Sequence, residues 1–522
     1  MRDFGGETMR VEKSLKNLIY GCVSQTVFSL YGFVMRFALI HTLGVEAVSL
    51  NGLFTEVLAM LSLAEMGVGY AIVYHLYVPL REKDERKLAQ LMNLYKTAYR
   101  FIALVIFAAG LCLLPFVHLF VSRMEIDLGY LRLIYFLFLV QTASSYLWSY
   151  KSSLFSADQK GYMTVRCSLL IRGAFHAVNI VFLLLTRNYI VYLLIQILST
   201  LAVNLAISRK ADRQYPFLKK AEQLPKGEKE QIFSNIKYIF VGTLSGKITN
   251  STDNILISVM VGTLHIGAYS CYSMIVNTFK KFVMQINQAT TASIGNLVAE
   301  GNRAYTETVL RRLTFITYCP AIFAAAGIYT VSTPFIRLLY GEEYLLPMPV
   351  VFICVLNLLV YLTKNPLWSV MAASGLFKQN RNISVIGDVL NLLISVLLGR
   401  KLGIAGILLG TNCTLAIQWG LKTLLLFRQS LFFPKGAYIR LVIKALGCGV
   451  FCLLAAQGLC MRLPVTNLYL QIFVYGICTE MIVIGIHFLL FHSTPEFKYA
   501  VETGKKLLAQ KAGSEPGGEK NV

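Results

Sequence analysis

The chain has 522 residues, of which 56% are hydrophobic and only 15% are charged, and its mean hydropathy is +0.60. This composition lies outside the range of soluble domains and excludes a water-soluble globular protein. The formal net charge of +22 would indicate a nucleic-acid partner if the basic residues formed one patch. The positions of the Lys and Arg residues along the chain therefore have to be considered.

Apolar stretches recur from one end of the chain to the other, and most of them are about as long as a membrane span. A helix of about 18–25 residues crosses the roughly 30 Å hydrocarbon core at about 1.5 Å per residue. The pattern predicts an all-α polytopic membrane protein with about 14 transmembrane helices. In chain order these spans lie at 17–40, 48–77, 98–121, 130–150, 167–186, 189–207, 232–260, 268–298, 313–337, 347–373, 383–398, 404–427, 439–459 and 468–491.

The loops between the spans differ sharply in basic residues. Alternate loops, counted together with both termini, hold about 32 Lys and Arg, whereas the opposite loops hold about five. By the positive-inside rule the first set is cytoplasmic, which places both termini in the cytoplasm. The basic surplus therefore reflects topology, and no nucleic-acid partner is expected. The polar start Met1–Lys16 leads into a span without a small-residue cleavage site, so no cleavable signal peptide is expected.

Two polar segments stand out between and after the spans. Residues 85–100 are predicted to form a basic amphipathic helix, with Asp84 as its N-cap, that lies on the anionic inner leaflet. The apolar face of this helix consists of Leu88, Leu91, Met92, Tyr95 and Tyr99. The polar tail from Ser493 onward is predicted to be a disordered cytoplasmic end.

The cysteines and several isolated polar residues carry no predicted chemistry. Most of the 11 cysteines fall in apolar spans, and the closest pair, Cys448 and Cys452, has no His or acidic neighbour in the sequence. We therefore predict neither a metal site nor a disulfide there. Lys281, Lys422 and His487 are interpreted as snorkelling or satisfied core residues. The chain contains no catalytic motif, so no enzyme activity and no cofactor are predicted.

Two halves of the chain resemble each other at a nearly constant spacing. Leu147-Trp148-Ser149 recurs as Leu367-Trp368-Ser369 at an offset of 220, and the turn at Gly44 matches Gly262 at an offset of 218. Such agreement indicates an internal duplication into two six-helix lobes that are parallel repeats. The predicted organisation is an N-terminal lobe at 1–207, a cytoplasmic linker at 208–231, a C-terminal lobe at 232–428, two additional helices at 429–492 and a tail at 493–522.

Polar and charged residues form stripes on several spans, and they are functional candidates because ionisable groups are costly at membrane depth. Lys and Arg supply the counter-charge that an anionic diphosphate headgroup requires. The predicted substrate-binding residues are Arg36, Lys247, Lys280, Arg172 and Asn254, and Lys364 shares a face of its span with Tyr361 and Trp368. Glu65 and Asp253 are predicted to couple transport to an ion. The alternative is that Arg36–Glu65 and Lys247–Asp253 are structural ion pairs.

Several blocks of sequence resemble a known family of exporters. They are Lys16 to Gly21, Leu43-Gly44-Val45, Asn51 to Phe54, Leu61 to Gly69, Tyr77 to Leu80, Thr252 to Ile255, Gly262 and Ile266 to Tyr269. The chain thereby resembles the polysaccharide-exporter branch of the multidrug/oligosaccharidyl-lipid/polysaccharide (MOP) exporter superfamily, and in particular the O-antigen and capsule repeat-unit flippases. The resemblance implies alternating access, a location in the bacterial inner membrane, and undecaprenyl-diphosphate-linked oligosaccharides as cargo.

The expected partners follow from that resemblance. They are the lipid-linked oligosaccharide and membrane lipids, with glycosyltransferases and a polymerase of the same pathway as further candidates. Two other transport functions remain open, namely a lipid-linked peptidoglycan precursor flippase, which also has two extra C-terminal spans, and a cation-coupled multidrug exporter. A membrane polymerase or ligase is a third class, but such an enzyme is expected to carry a large external loop, and no outward loop here is long enough.

Overall fold

A computed structural model describes residues 4–62, 68–219, 223–225, 227–230, 232, 252–299, 303–373, 376–428 and 436–512. Within these residues every long element is an α-helix. We number fifteen of them in chain order: α1 Phe4–Leu61, α2 Val68–Glu82, α3 Glu85–Leu113, α4 Leu128–Tyr146, α5 Tyr150–Ala157, α6 Gly161–Thr186, α7 Tyr189–Gln214, α8 Leu264–Ala299, α9 Arg303–Tyr340, α10 Met348–Ala373, α11 Phe377–Leu402, α12 Ile404–Arg428, α13 Gly436–Cys460, α14 Leu468–Phe491 and α15 Pro495–Ala512.

Side-chain caps fix where several of the helices begin. The carboxylate of Asp84 accepts a hydrogen bond from the Lys87 amide at 2.9 Å, so the predicted N-cap of α3 is present. Asp127 caps α4 and Asn467 caps α14 in the same way. Each cap satisfies backbone N–H groups that have no acceptor within the first turn of a helix.

Two glycines interrupt helical stretches at positions that the predicted duplication makes equivalent. Gly44 has φ 80° within α1, and Gly262, between the helical segment Thr252–Val261 and α8, has φ 140°. L-residues with side chains rarely adopt such angles, whereas glycine does so readily. The first two predicted spans therefore meet at Gly44 inside one long helix.

Eleven helices among the described residues are long and apolar enough to cross a membrane. They account for twelve of the fourteen predicted spans, because Val23–Leu61 overlaps both of the first two. Large apolar side chains remain on the outside of the protein, for example Leu185 at 76% and Leu489 at 73% exposed. A hydrocarbon environment covers such surfaces. The chain is therefore a multi-pass membrane protein.

The chain forms two compact units. The first contains Met1–Cys271, Glu342–Tyr344 and Ser384–Thr411, and the second contains Tyr272–Gly341, Leu345–Ile383 and Asn412–Val522. The predicted lobe boundaries at 207, 232 and 428 remain a prediction.

The basic helix differs from its prediction. Residues 85–100 do not form a separate helix on the leaflet, because α3 continues without a break to Leu113. All five residues of its predicted apolar face, including Tyr95 and Leu88, are buried in the protein core. The Tyr95 hydroxyl lies 3.1 Å from Ser153 Oγ of α5. The apolar face therefore packs on neighbouring helices, a choice that amphipathicity alone does not determine.

The start of the tail is ordered, contrary to the prediction of disorder from Ser493 onward. The hydroxyl of Thr494 accepts a hydrogen bond from the amide of Phe497 at 3.4 Å as α15 begins. Glu496, which is 5% exposed, forms an ion pair with Arg311 of α9 at 3.4 Å. The Arg312 guanidinium lies 4.2 Å from the centroid of the Tyr499 ring. Contacts with α9 therefore order a segment whose composition alone is polar.

Candidate functional site

Three lysines and two aromatic rings alternate in the second unit, and we call this set the lysine–aromatic ladder. Lys280 Nζ of α8 lies 3.5 Å from the centroid of the Tyr361 ring, and Lys364 Nζ lies 5.1 Å from the same centroid. Lys364 Nζ also lies 4.2 Å from the Trp368 ring, and Lys422 Nζ of α12 lies 3.9 Å from that ring. Residues of α8, α10 and α12 therefore place three ammonium groups beside one another.

The ladder concentrates positive charge in a buried place. Lys364 is 5% exposed and Lys422 is fully buried. Lys280 and Lys422 share the rings that Lys364 contacts, and both bear a basic side chain. Cation–π contacts offset part of the desolvation cost of an ammonium group, by about 0.5–2 kcal/mol each. They do not supply a negative charge, so the ladder is suited to an anionic ligand.

A packed apolar cluster holds the ladder in place. The residues of this cluster come from α9, α10, α12 and α13, and they include Leu367, Met371, Leu415, Trp419 and Tyr438. The indole of Trp419 donates a hydrogen bond to the Tyr438 hydroxyl at 3.0 Å. Since side chains in such a core have few alternative rotamers, the lysines are held on a rigid base.

Arg36 lies in the first unit, where it joins α1 to the start of α8. Its Nη1 atom donates to Ser270 Oγ at 2.5 Å and to Cys271 Sγ at 3.7 Å. The two helices approach closely there. A Cβ on Gly267 would lie only 2.7 Å from Ser49 Oγ, so a residue larger than glycine does not fit without a shift. Ser270 and Cys271 are neutral, so these contacts leave the positive charge of the Arg36 guanidinium available to an anion.

Arg172 lies on the partly exposed face of α6 that turns toward α1. Its guanidinium lies 5.6 Å from the Phe28 ring, and the neighbouring His176 ring lies 5.1 Å from that of Tyr31. Asn179, on the same face, donates to the backbone carbonyl of Tyr192 at 3.2 Å. The predicted shared face of Arg172, His176 and Asn179 is thus a packing surface within the first unit.

A buried polar cluster surrounds Asp253 in the first unit. Thr411 Oγ1 donates to Asp253 Oδ1 at 2.9 Å, and Asn391 Nδ2 donates to Thr411 Oγ1 at 3.0 Å. The side chain of Asn254 is also buried, and its carbonyl oxygen has no hydrogen-bond partner among the described residues. The π-helical turn Ile257–Val261 follows directly, and such turns are frequent at functional sites. Oxygen atoms gathered in this way can hold a proton or a hard cation.

The predicted site residues are therefore found in separate places. Lys280 belongs to the ladder in the second unit, whereas Arg36, Arg172, Asp253 and Asn254 belong to the first unit. Lys247 and Glu65 lie outside the described residues, so the predicted pairs Arg36–Glu65 and Lys247–Asp253 stay predictions.

The sequence analysis missed Lys422 as a member of the site. The sequence alone favours a snorkelling or satisfied core residue, because Lys422 lies near the end of its span or alone. One feature of the sequence does indicate a further cation. In α10, Tyr361, Lys364 and Trp368 share one face, and the two rings offer surfaces for more cations than Lys364 alone. The partner from α12 is about 54 residues distant in sequence, and only folding brings it to Trp368.

The second unit also encloses a cavity of about 230 Å³ that contains none of the ladder residues. It is lined by α9, α10, α13 and α14, namely by Thr330, Thr333, Pro334, Arg337, Met348, Gln457, Cys460, Met461, Gln471 and Tyr475. Arg337 is the one charged side chain in this lining. The ladder has three lysines and is therefore the more strongly basic of these two sites.

Comparison with known proteins gives the fold a context. The lipid II flippase MurJ, in an inward closed conformation, has a TM-score of 0.62 at 15% identity, and the match covers 90% of this chain and 99% of that one. An inward-facing multidrug resistance MATE family transporter of the MOP superfamily has a TM-score of 0.59 at 14% identity, covering 79% and 98%. A MOP superfamily transporter from Pyrococcus furiosus, described as having a binding pocket of reverse polarity, has a TM-score of 0.56 at 14% identity, covering 80% and 95%.

At these identities the structural matches establish the fold alone, and no curated protein sequence matches the chain. A family model adds evidence from the sequence, because the model described as polysaccharide biosynthesis protein matches residues 14–292, more than half of the chain. The chain therefore belongs to the polysaccharide biosynthesis protein family and has the fold of the MOP superfamily transporters.

Proposed function

We propose that the protein is a flippase that moves an undecaprenyl-diphosphate-linked oligosaccharide across the bacterial cytoplasmic membrane by alternating access, for the synthesis of a surface polysaccharide. The observation that carries this proposal is the lysine–aromatic ladder. Membership of a polysaccharide biosynthesis family supports the glycan part of the cargo. Both termini are proposed to face the cytoplasm.

The ladder addresses the main physical difficulty of the reaction. A diphosphate loses its hydration when it enters the hydrocarbon region, and the cost is prohibitive unless fixed charges replace the water. Lys280, Lys364 and Lys422 supply three ammonium groups that can each donate to phosphate oxygens. The lipid tail needs no such site, because it remains compatible with the bilayer.

Residues of the first unit extend this proposal. Arg36 is proposed to contact the headgroup through the donor atoms that Ser270 and Cys271 leave available. Asn254, Arg172 and Lys247 are proposed as further substrate contacts. The lipid-linked oligosaccharide and membrane lipids are the proposed partners, together with glycosyltransferases and a polymerase of the same pathway.

Asp253 and Glu65 are proposed to couple export to a proton or sodium gradient. For Asp253, the supporting observation is the buried hydrogen-bonded chain to Thr411 and Asn391. Binding of a cation or proton there adds a positive charge to a buried carboxylate, and this favours whichever conformation buries the group more completely.

A peptidoglycan precursor flippase is the second candidate, and one observation favours it. The match to the lipid II flippase covers 90% of this chain, against 79% for the MATE transporter, and the two additional helices α13 and α14 are present. Both candidates carry a lipid-linked diphosphate, so the ladder serves either. A multidrug exporter for cationic compounds is disfavoured, since three lysines repel such cargo.

The test measures transport of defined lipid-linked glycans by the purified protein in liposomes. A fluorescent polyprenyl-diphosphate glycan is placed in one leaflet, and its appearance in the other is followed with a membrane-impermeant quencher. Wild-type protein should move it, and Lys280→Gln, Lys364→Gln and Lys422→Gln should each be slower by about ten-fold or more, because a charge-assisted contact is worth about 1.5–3 kcal/mol.

The neighbouring residue provides a matched control. Lys281 follows Lys280 on α8 but is exposed, so Lys281→Gln should transport at the wild-type rate. Wild-type rates in all three ladder variants, each folded and inserted, would eliminate the ladder as the headgroup site. If the wild-type protein moves no lipid-linked glycan but expels cationic drugs, the flippase proposal itself is wrong. Preference for a peptidoglycan precursor over a repeat-unit glycan would select the second candidate.

A further inference from the structure

Two cysteines and a histidine in the last two membrane helices form a cluster that the proposed transport does not use. Cys448 and Cys452 lie on α13, and their sulfur atoms are 4.0 Å apart. His487 of α14 completes the group, and one ligand atom from each of the three lies within 4.8 Å of the others. All three residues are buried. The sequence predicted no metal site here because the histidine lies 35 residues beyond Cys452.

The imidazole of His487 is already in the form that a metal ligand needs. Its Nδ1 atom is 3.1 Å from the carbonyl oxygen of Val483, and since a carbonyl only accepts, Nδ1 carries the proton. In a neutral imidazole the Nε2 atom then presents a lone pair. That atom is buried and has no hydrogen-bond partner among the described residues. Metal-bound histidines typically donate their second ring nitrogen to a carbonyl in this way.

We propose that Cys448, Cys452 and His487 bind a zinc ion that fastens α13 to α14. Tetrahedral zinc, with Zn–S of about 2.3 Å and Zn–N of about 2.0–2.1 Å, separates two sulfur ligands by about 3.8 Å and a sulfur from a nitrogen by about 3.6 Å. The observed spacings need only small side-chain adjustments to reach these values.

Charge balance favours a divalent thiophilic ion such as zinc over a monovalent one. On binding, Zn²⁺ displaces one proton from each thiol and the two protons pass to the solvent. Two Zn–S bonds and one Zn–N bond form, one water molecule of the hydrated ion stays in the fourth tetrahedral position, and no oxidation state changes. Two thiolates, a neutral imidazole and Zn²⁺ have no net charge, which is what a buried place in a membrane helix pair requires. Cu⁺ with the same ligands leaves a net negative charge.

The surroundings of the cluster support a structural rather than a catalytic ion. The Tyr318 ring of α9 stacks on His487 with centroids 5.2 Å apart, and Phe491 covers the imidazole at 5.4 Å. The buried Tyr318 hydroxyl has no hydrogen-bond partner among the described residues, so it can donate a hydrogen bond to a thiolate at Cys448. Aromatic rings on these sides leave little room for a substrate, so the ion would serve to join helices.

The experiment uses full-length protein in detergent, purified without a metal-affinity tag, loaded with Zn²⁺ and then desalted. We expect zinc at one ion per folded chain in the wild type and its loss in Cys448→Ser, Cys452→Ser and His487→Gln. Replacement with Co²⁺ should give the visible absorption bands of a tetrahedral thiolate complex. The apparent melting temperature should rise with free zinc in the wild type, because a ligand that binds only the folded state stabilises it.

Cys460 offers a matched control. It is a buried cysteine on the same helix, its sulfur lies 3.8 Å from Thr479 Oγ1, and it is not part of the cluster. Cys460→Ser should therefore keep the ion and the cobalt bands. Wild-type protein that holds no more zinc than His487→Gln, or a Cys460→Ser variant that loses zinc equally, would overturn the proposal. The wild-type measurement decides even if one of the serine variants fails to fold, and it is independent of whether the protein transports a glycan.

Discussion

Lys364 and Lys422 hold their side-chain nitrogens inside a membrane protein at 5% and 0% exposure. Burial of a charge costs several kcal/mol unless opposite charges or polar groups replace the lost water. Cation–π contacts with the rings of Tyr361 and Trp368 offset a part of this cost. Three neighbouring ammonium groups also repel one another, and an anion that binds beside them relieves this repulsion.

Asp253 allows a test of ion coupling at the scale of one residue. Asp253→Asn keeps the shape of the side chain and an oxygen that can accept from Thr411, but it removes the negative charge. If a proton or cation bound to this carboxylate drives export, the variant should lose its dependence on an imposed ion gradient. Glycan export with and without a gradient is the measurement, and Glu65→Gln is tested in parallel. Unchanged gradient dependence in both variants would remove the two acids from the coupling step.

An ion pair in the first unit provides a prediction about stability. Lys151 Nζ lies 2.7 Å from Asp212 and donates to Ser208 Oγ at 2.8 Å, and the side chains of Lys151 and Asp212 are 10% and 37% exposed. Asp212→Ala leaves a buried ammonium group without its partner, so it should lower stability by about 3 kcal/mol. Lys151→Met leaves only a half-exposed carboxylate and should cost less. Apparent melting temperatures in detergent compare them, and the reverse order would refute the account.

At this scale the sequence predicts individual residues better than it predicts their partners. The polar stripe that singles out Arg36 and the shared face of Tyr361, Lys364 and Trp368 follow from helical periodicity. Neither Lys422 nor His487 can be assigned in this way. Each contacts a different helix, and the pairing of helices depends on packing that no local pattern contains.

Gly44 and Gly262 show how single positions shape the helical elements. Gly44 has φ 80° and ψ −169°, a conformation nearly exclusive to glycine, and an added Cβ would meet Glu46 Oε2 at 3.1 Å. Gly44→Ala should therefore destabilise the folded protein by about 1–3 kcal/mol. Thermal unfolding of the purified protein measures this change.

Gly21 is the control for that substitution. It lies in the same helix, its added Cβ would meet nothing within 4 Å, and an alanine there should raise stability by about 0.5–1 kcal/mol. A Gly44→Ala protein as stable as Gly21→Ala would show that the turn does not depend on the conformational freedom of glycine.

The two copies of the Leu-Trp-Ser motif have the same sequence but different local structures. Trp148 follows the end of α4 with φ 63°, whereas Trp368 lies inside α10 and contacts the ladder lysines. The periodic apolar runs and the cap at Asp84 give most helix positions in advance. The different backbone at equivalent tryptophans, the continuity of α3 and the order of α15 depend on tertiary contacts, which override local preference.

For the whole molecule, the fold class and the family follow from sequence because both depend on features spread along the chain. Fourteen apolar stretches of membrane-spanning length leave few alternatives to a polytopic helical protein. The family model matches residues 14–292, and Gly44 and Gly262, which are 218 residues apart, both have a positive φ, of 80° and 140°. The conformational cycle depends instead on structural differences between states, and the identity of the glycan depends on the shape of the cavity. Neither can be predicted from the composition of the chain.

The orientation in the membrane is the prediction that involves the entire chain. The uneven distribution of Lys and Arg predicts that the loops around Glu125 and Glu342 lie outside and that the segments at Lys219 and Glu515 lie inside. Cysteines are introduced at these four positions, and intact cells are treated with a membrane-impermeant maleimide, with the unmodified protein as the blank for its 11 native cysteines. We expect Glu125→Cys and Glu342→Cys to react from outside, and Lys219→Cys and Glu515→Cys to react only after the cells are opened. Since adjacent spans alternate in direction, external labelling at Lys219 would invert every loop between the spans and place the cytoplasmic loading of the cargo on the wrong side.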